Sequence, residues 1–83
     1  MLWHVYIAQA QTGRYYTGVS TDPHWRINKH NAGLGAKFSK DQGPLTLLYI
    51  SPPYEKSKAW KREMQIKGWT REKKEKLIWG EWK

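Results

Sequence analysis

The stretch His4–His30, HVYIAQAQTGRYYTGVSTDPHWRINKH, decides how the fold is read. Trp3, Val5 and Ile7 alternate with His4, Tyr6 and Ala8, the period-two pattern of a strand with one face buried. Gln11-Thr12-Gly13 is a turn signal and Tyr15 to Val19 a second β-rich run. Residues 2–10 and 13–20 are therefore expected to pair as an antiparallel hairpin. Alternation puts Tyr6 on the face opposite Val5 and Ile7, and sets Tyr16 and Gly18 together on one face of the returning strand. Thr21-Asp22-Pro23 then starts a helix: Asp22 can accept from free backbone N–H groups, and proline at the first position has no N–H to lose. That helix is expected to run to about Ala32 and to stop at Gly33. It carries Arg26 and His30 four apart, on one face.

Working outward, residues 33–43 hold three glycines with Lys37 and Lys40 and read as a loop or a single helical turn. Pro44 to Ile50 is nearly continuously apolar, which suits a strand covered on both faces and hence the central one. Ser51-Pro52-Pro53 ends it. Ser57 is the expected cap of a helix running to Lys67, whose apolar arc collects Ala59, Trp60, Met64 and Ile66. Glu63 falls near the middle of that arc. Lys67 shares the arc and can snorkel to solvent; Glu63 is too short to do so. Thr70 is the candidate cap of a last helix, Arg71 to about Trp79, anchored by Leu77 and Ile78. The order is β-β-α-β-α-α, a three-stranded antiparallel sheet with flanking helices, α+β in class.

A chain of 83 residues is expected to form one domain, spanning 1–83, with one small core. It has no cysteine, so neither disulfides nor thiolate zinc can reinforce that core. The 15 Lys+Arg against 7 Asp+Glu leave a formal charge of +8, which favours polyanionic partners. Residues 55–83 hold ten of those basic side chains and five acidic ones, so the charge is biased toward the C-terminal helices. Mean hydropathy is −0.90, and no apolar run approaches the roughly 20 residues needed to span a bilayer. A cytoplasmic protein with no membrane partner is expected.

Two tyrosines in a hairpin commonly pack across strands. A phenol also serves as a general base where a neighbouring cation or a metal-bound water lowers the cost of losing its proton. Arg26 is either solvated or placed to hold a phosphate oxygen with two parallel donors. His30 can orient a phenol or a phosphate. Glu63 is the most informative residue, because its position calls for an apolar side chain. Either it holds a Mg²⁺ ion that keeps most of its waters, or it pairs with Arg26. A second acidic cluster is missing from the sequence, which argues against two-metal chemistry.

Val5-Tyr6, then Tyr16-Thr17-Gly18 ten residues on, Thr21-Asp22, Arg26, His30-Asn31 and Lys61-Arg62-Glu63 together resemble the GIY-YIG nuclease superfamily, and within it the small stand-alone bacterial branch. The likeness runs from about Leu2 to Ile78, with His4 in place of the first motif's glycine. The resemblance implies a metal-dependent endonuclease acting on phosphodiester bonds in DNA, in preference to RNA, or in structured nucleic acid. It implies Tyr6 as general base, Tyr16 positioning water or phosphate, Arg26 stabilising phosphate charge, His30 orienting a tyrosine or the phosphate, and Glu63 as sole protein ligand of one Mg²⁺ or Mn²⁺ ion. Lys29, Lys37, Lys40 and Lys67 are the expected nucleic-acid contacts, with specificity coming from the basic core, an oligomer or a protein partner. The alternative is a nucleic-acid-binding module that keeps the fold without turnover, with Trp25, Trp60 and Trp69 as candidate stacking platforms.

Overall fold

In the computed structural model, which describes residues 1–34 and 43–80, the hairpin consists of β1 (His4–Ala10) and β2 (Tyr15–Ser20). Its register pairs His4 with Ser20, Tyr6 with Gly18 and Ala8 with Tyr16. The connection closes through Ala10 N–H to Arg14 O at 2.8 Å, with Gly13 at φ 96°, a left-handed conformation that suits glycine. α1 (Pro23–Lys29) starts as expected, Asp22 Oδ1 accepting from Trp25 N–H at 3.1 Å. It passes at His30 into one wider π-type turn, His30–Leu34, which Gly33 breaks with φ 84°. β3 (Leu45–Ile50), α2 (Lys56–Lys67) and α3 (Arg71–Ile78) complete the order. Lys37 and Lys40 lie outside the described residues.

The sheet order is β2-β1-β3, antiparallel throughout, so β1 is the central strand and β3 an edge. This corrects the expectation that the apolar run 44–50 would be central. Val5 to Ala8 are all buried, whereas Leu47, Leu48 and Tyr49 are only partly so. The run on β3 is covered in part by α1 and α3, and its outer backbone edge is left unpaired by any described strand. Where Pro52 and Pro53 cannot continue the ladder, Ser51 takes over: its Oγ accepts from Val5 N–H at 2.8 Å and its N–H reaches Val5 O. A last bridge, Trp3 to Tyr54, holds the chain extended up to the next helix. α2 therefore begins after Glu55 and not at Ser57, and no side-chain cap is made there.

Apolar packing divides between the two faces of β1. Val5 and Ile7 meet Ala59 and Ile66 of α2 and Leu77 of α3. Tyr6, Ala8 and Ala10 meet Ile27 of α1 and Leu45 of β3. On α2 the buried stripe is Ala59 and Ile66, with Glu63 between them at helical spacing, while Met64 is 70% exposed and so not part of the arc. α3 is clasped to the hairpin: Tyr15 donates to Glu75 Oε2 at 2.8 Å, and Arg71 lies over the Tyr15 ring while donating to Gly13 O.

A cleft at the edge of the hairpin

Tyr6 belongs to the central strand, so its phenol can reach an edge only by crossing β2. Its cross-strand partner makes this possible. A Cβ on Gly18 would stand 2.5 Å from the Tyr6 hydroxyl oxygen and 2.6 Å from Cζ, so the ring occupies the space a side chain would need. Gly18 thus opens a passage for Tyr6 over β2, and the aromatic ring can be 3% exposed while its oxygen lies at a cleft.

That cleft, of about 350 Å³, lies where α1 and α2 approach β2 from opposite sides. From the face under α1 come Tyr6, Tyr16 and Arg26; from α2 come Trp60, Glu63 and Lys67. Thr17, Gly18, Val19 and Trp3 complete its wall. Glu63 is there because the inner stripe of α2 runs through it, and its side chain is only 13% exposed. Its ion-pair partner is Lys67 one turn on, Nζ to Oε2 at 3.6 Å, not Arg26. Lys67 itself extends to solvent, as its long stem allows.

Burial pushes the Tyr6 phenol above the ordinary tyrosine range, and the nearby Tyr16 and Glu63 add to the rise. The Arg26 guanidinium opposes them through its charge and a hydrogen bond to the phenol. These are the electrostatics of a buried acid with one cation placed to favour its conjugate base. Arg26 is on the solvent side of α1, held there because its neighbours Pro23 and Ile27 bury the inner side.

Of the residues singled out from sequence, Tyr6, Tyr16, Arg26, Glu63 and Lys67 share this cleft. His30 does not line it. It is half-buried at the end of α1, where its backbone N–H bonds to Arg26 O and Ile27 O and so secures the turn that carries Arg26. Asn31 turns inward to β3, its amide bonding both the N–H and the carbonyl of Leu45 at 2.7 and 2.8 Å. Lys29 stands over the Trp25 ring at 4.2 Å. Thr17, Trp3 and Trp60 were not singled out as residues of this cleft. Thr17 is the least expected: its Oγ1 is buried with no hydrogen-bond partner among the described residues. The pairing of Thr17 with Ile7 points to burial, but nothing in the sequence signals an unsatisfied hydroxyl.

A phenol, a guanidinium and a lone carboxylate thus gather at the rim of a small antiparallel sheet. A family model described as the GIY-YIG catalytic domain matches residues 2–76, and the chain belongs to the GIY-YIG family. It is similar to the UPF0213 protein of Staphylococcus aureus, 46% identical over 74 residues that cover 89% of this chain and 90% of that one. A UPF0213 protein of Halobacterium salinarum is 43% identical, covering 90% and 97%. The solution NMR structure of the UPF0213 protein from Bacillus halodurans superposes with a TM-score of 0.59 at 38% identity, covering 94% of this chain and 83% of that one. The family implies a nucleic-acid substrate, and no described helix is long and apolar enough to cross a membrane.

Proposed function

We propose that the protein is a metal-dependent endonuclease-type domain that hydrolyses phosphodiester bonds in DNA or structured nucleic acid. The observation that carries this reading is the presence of Tyr6, Tyr16, Arg26 and Glu63 in one cleft although they come from four different elements. A structural role alone leaves no reason for a carboxylate on the buried stripe of α2 facing a phenol already raised by burial.

The residues fit one divalent ion. No group of three or more His, Cys, Asp or Glu that could hold a metal ion occurs among the described residues, and the cleft offers Glu63 as its carboxylate. A single carboxylate in a cleft open to solvent matches Mg²⁺, which keeps several waters and takes one or two carboxylates. When bound at Glu63, Mg²⁺ or Mn²⁺ would supply Lewis-acid stabilisation of charge on the phosphate oxygens. The rest falls to the chain. Tyr6 Oη, as phenolate, takes the proton of the attacking water as the new oxygen–phosphorus bond forms; the ester bond opposite it breaks and the departing alkoxide takes a proton from solvent. Arg26 favours the phenolate and then faces the charge gathering on the phosphate. Tyr16, with its side chain at the cleft mouth, positions water or phosphate. His30 acts at one remove, by holding the end of α1.

The test is cleavage of branched, single-stranded and duplex DNA with Mg²⁺ or Mn²⁺. Glu63→Gln and Arg26→Ala are expected to abolish turnover while melting within a few degrees of wild type. If wild type and Glu63→Gln are equally inert on every substrate, the catalytic reading is wrong. The groove of about 610 Å³ beside Lys58, Lys61 and Arg62 then favours a binding module without turnover, since Lys58 and Lys61 make no ion pair among the described residues. Such a module would show strongly salt-dependent affinity that survives Glu63→Gln.

A further inference from the structure

Six tryptophans are distributed over the chain, but only Trp3 and Trp60 among the described ones line the cleft. They meet nearly at right angles, ring centroids 4.9 Å apart and planes at 71°, so each fixes the orientation of the other. Trp60 remains exposed. It also lines a second hollow of about 550 Å³ at the start of α2, with Glu55, Lys56 and Ser57. Lys56 Nζ stands 5.7 Å from the Trp3 ring and 5.6 Å from the Trp60 ring. The other described tryptophans are placed elsewhere: Trp25 lies under Lys29 on α1, Trp69 between Arg62 and Lys73, and Trp79 is exposed after the end of α3.

We propose that Trp60, braced by Trp3 and flanked by Lys56, is a stacking subsite for one unpaired nucleobase of the strand whose phosphate occupies the cleft. The inference rests on the nucleic-acid reading above and names which part of the polymer meets this surface. An indole braced by Trp3 in the wall of the cleft offers a π-face beside the groups that would hold the phosphate, and every base has a matching one. A duplex presents only base edges in its grooves, so a paired base cannot use it. An exposed cation–π contact is weaker than base–aromatic stacking, so an arriving base displaces the Lys56 ammonium from the ring toward the adjacent phosphate. Trp60 stands in the lining of both hollows, with Lys67 in one and Lys56 in the other, so a strand laid across the ring meets a cation in each.

The experiment is equilibrium binding by fluorescence anisotropy with metal omitted, so that affinity is read without turnover. Probes are a short single-stranded oligonucleotide, a blunt duplex of equal length, and the single strand carrying one abasic residue at successive positions. Trp60→Leu is expected to weaken single-strand binding roughly 5- to 100-fold and to leave duplex binding within about twofold. Trp60→Phe should keep most of the affinity. One abasic position should weaken wild type but not Trp60→Leu. Equal losses on both probes, no loss on either, or a flat abasic scan overturns the subsite. If Trp60→Leu does not fold, Trp60→Phe and the abasic scan on wild type decide alone. Absence of cleavage elsewhere leaves these affinities standing, whereas absence of any binding at low salt sinks the nucleic-acid reading itself.

Discussion

Successive residues of β1 face two environments that differ in kind. Val5 and Ile7 enter an apolar layer built on Ala59, Ile66 and Leu77 and rimmed by aromatic rings such as Trp3, Tyr49 and Trp69. Tyr6, Ala8 and Ala10 face α1, where the two alanines let the helix approach and the one large residue is a phenol directed across Gly18. The first row stabilises; the second exposes chemistry. Because alternation is forced by the pleat, one strand can do both without either task compromising the other. The two rows meet again at α2, whose stripe supplies Ala59 and Ile66 to the first and Glu63 to the cleft.

Substitutions that separate the rows test this division. Tyr6→Phe is expected to lower cleavage by roughly 10²–10⁴-fold, the range for loss of a general base, while keeping the buried ring and so most of the stability. In wild type, cleavage should rise with pH through the neutral range without a plateau below about pH 9, because the phenol is raised and each pH unit below its pKa multiplies the phenolate about tenfold. A rate that is flat over that range removes Tyr6 as base.

Ile66→Ala should do the opposite, costing about 2–5 kcal/mol by denaturant unfolding with the surviving folded fraction still active. Leu47, only partly buried, should cost less than Ile66, not the full value expected of a central strand. Gly18→Ala joins the two rows: the new methyl displaces the Tyr6 ring, for roughly 1–3 kcal/mol of overpacking together with loss of activity. Retention of both would show that the ring has room to move.

Thr17→Val is the smallest effect and the most diagnostic in sign. Replacing an unsatisfied buried hydroxyl by a methyl should be neutral or should raise the melting temperature. A fall of more than about 1 kcal/mol would mean that the hydroxyl makes a bond in solution, to a water or to the substrate. At high pH all variants that keep Tyr6, Tyr15 and Tyr49 should lose stability together. Their phenols are raised in the fold, so the folded state binds more protons than the unfolded one above about pH 10, and stability falls as pH rises through that range.

Local periodicity explains which features could be read without coordinates. The hairpin, the Asp22-Pro23 helix start, the Thr70 cap and the inward position of Glu63 each depend on spacing within one element, which the pleat and the helical repeat translate directly into direction. The buried arc of α2 is narrower than its periodicity suggests: Met64 is one residue, about 100°, beyond Glu63, enough to carry it from the core to solvent. The start of α2 at Lys56 depends on Tyr54 bridging Trp3, a contact between residues far apart in the chain.

Strand order, the passage of Tyr6 over Gly18 and the pairing of Glu63 with Lys67 rather than Arg26 were decided by tertiary structure. An apolar run states that a strand will be covered, but not by which neighbours; that depends on which edge of the hairpin accepts β3. Likewise Glu63 is legible as a carboxylate in an apolar place, and the family resemblance names Tyr6, Tyr16 and Arg26 with it, while Trp3, Thr17 and Trp60 as its neighbours in the cleft are not legible. They depend on how two helices on opposite faces of a twisted sheet converge past its edge, a relation that exists only once the chain has closed on itself.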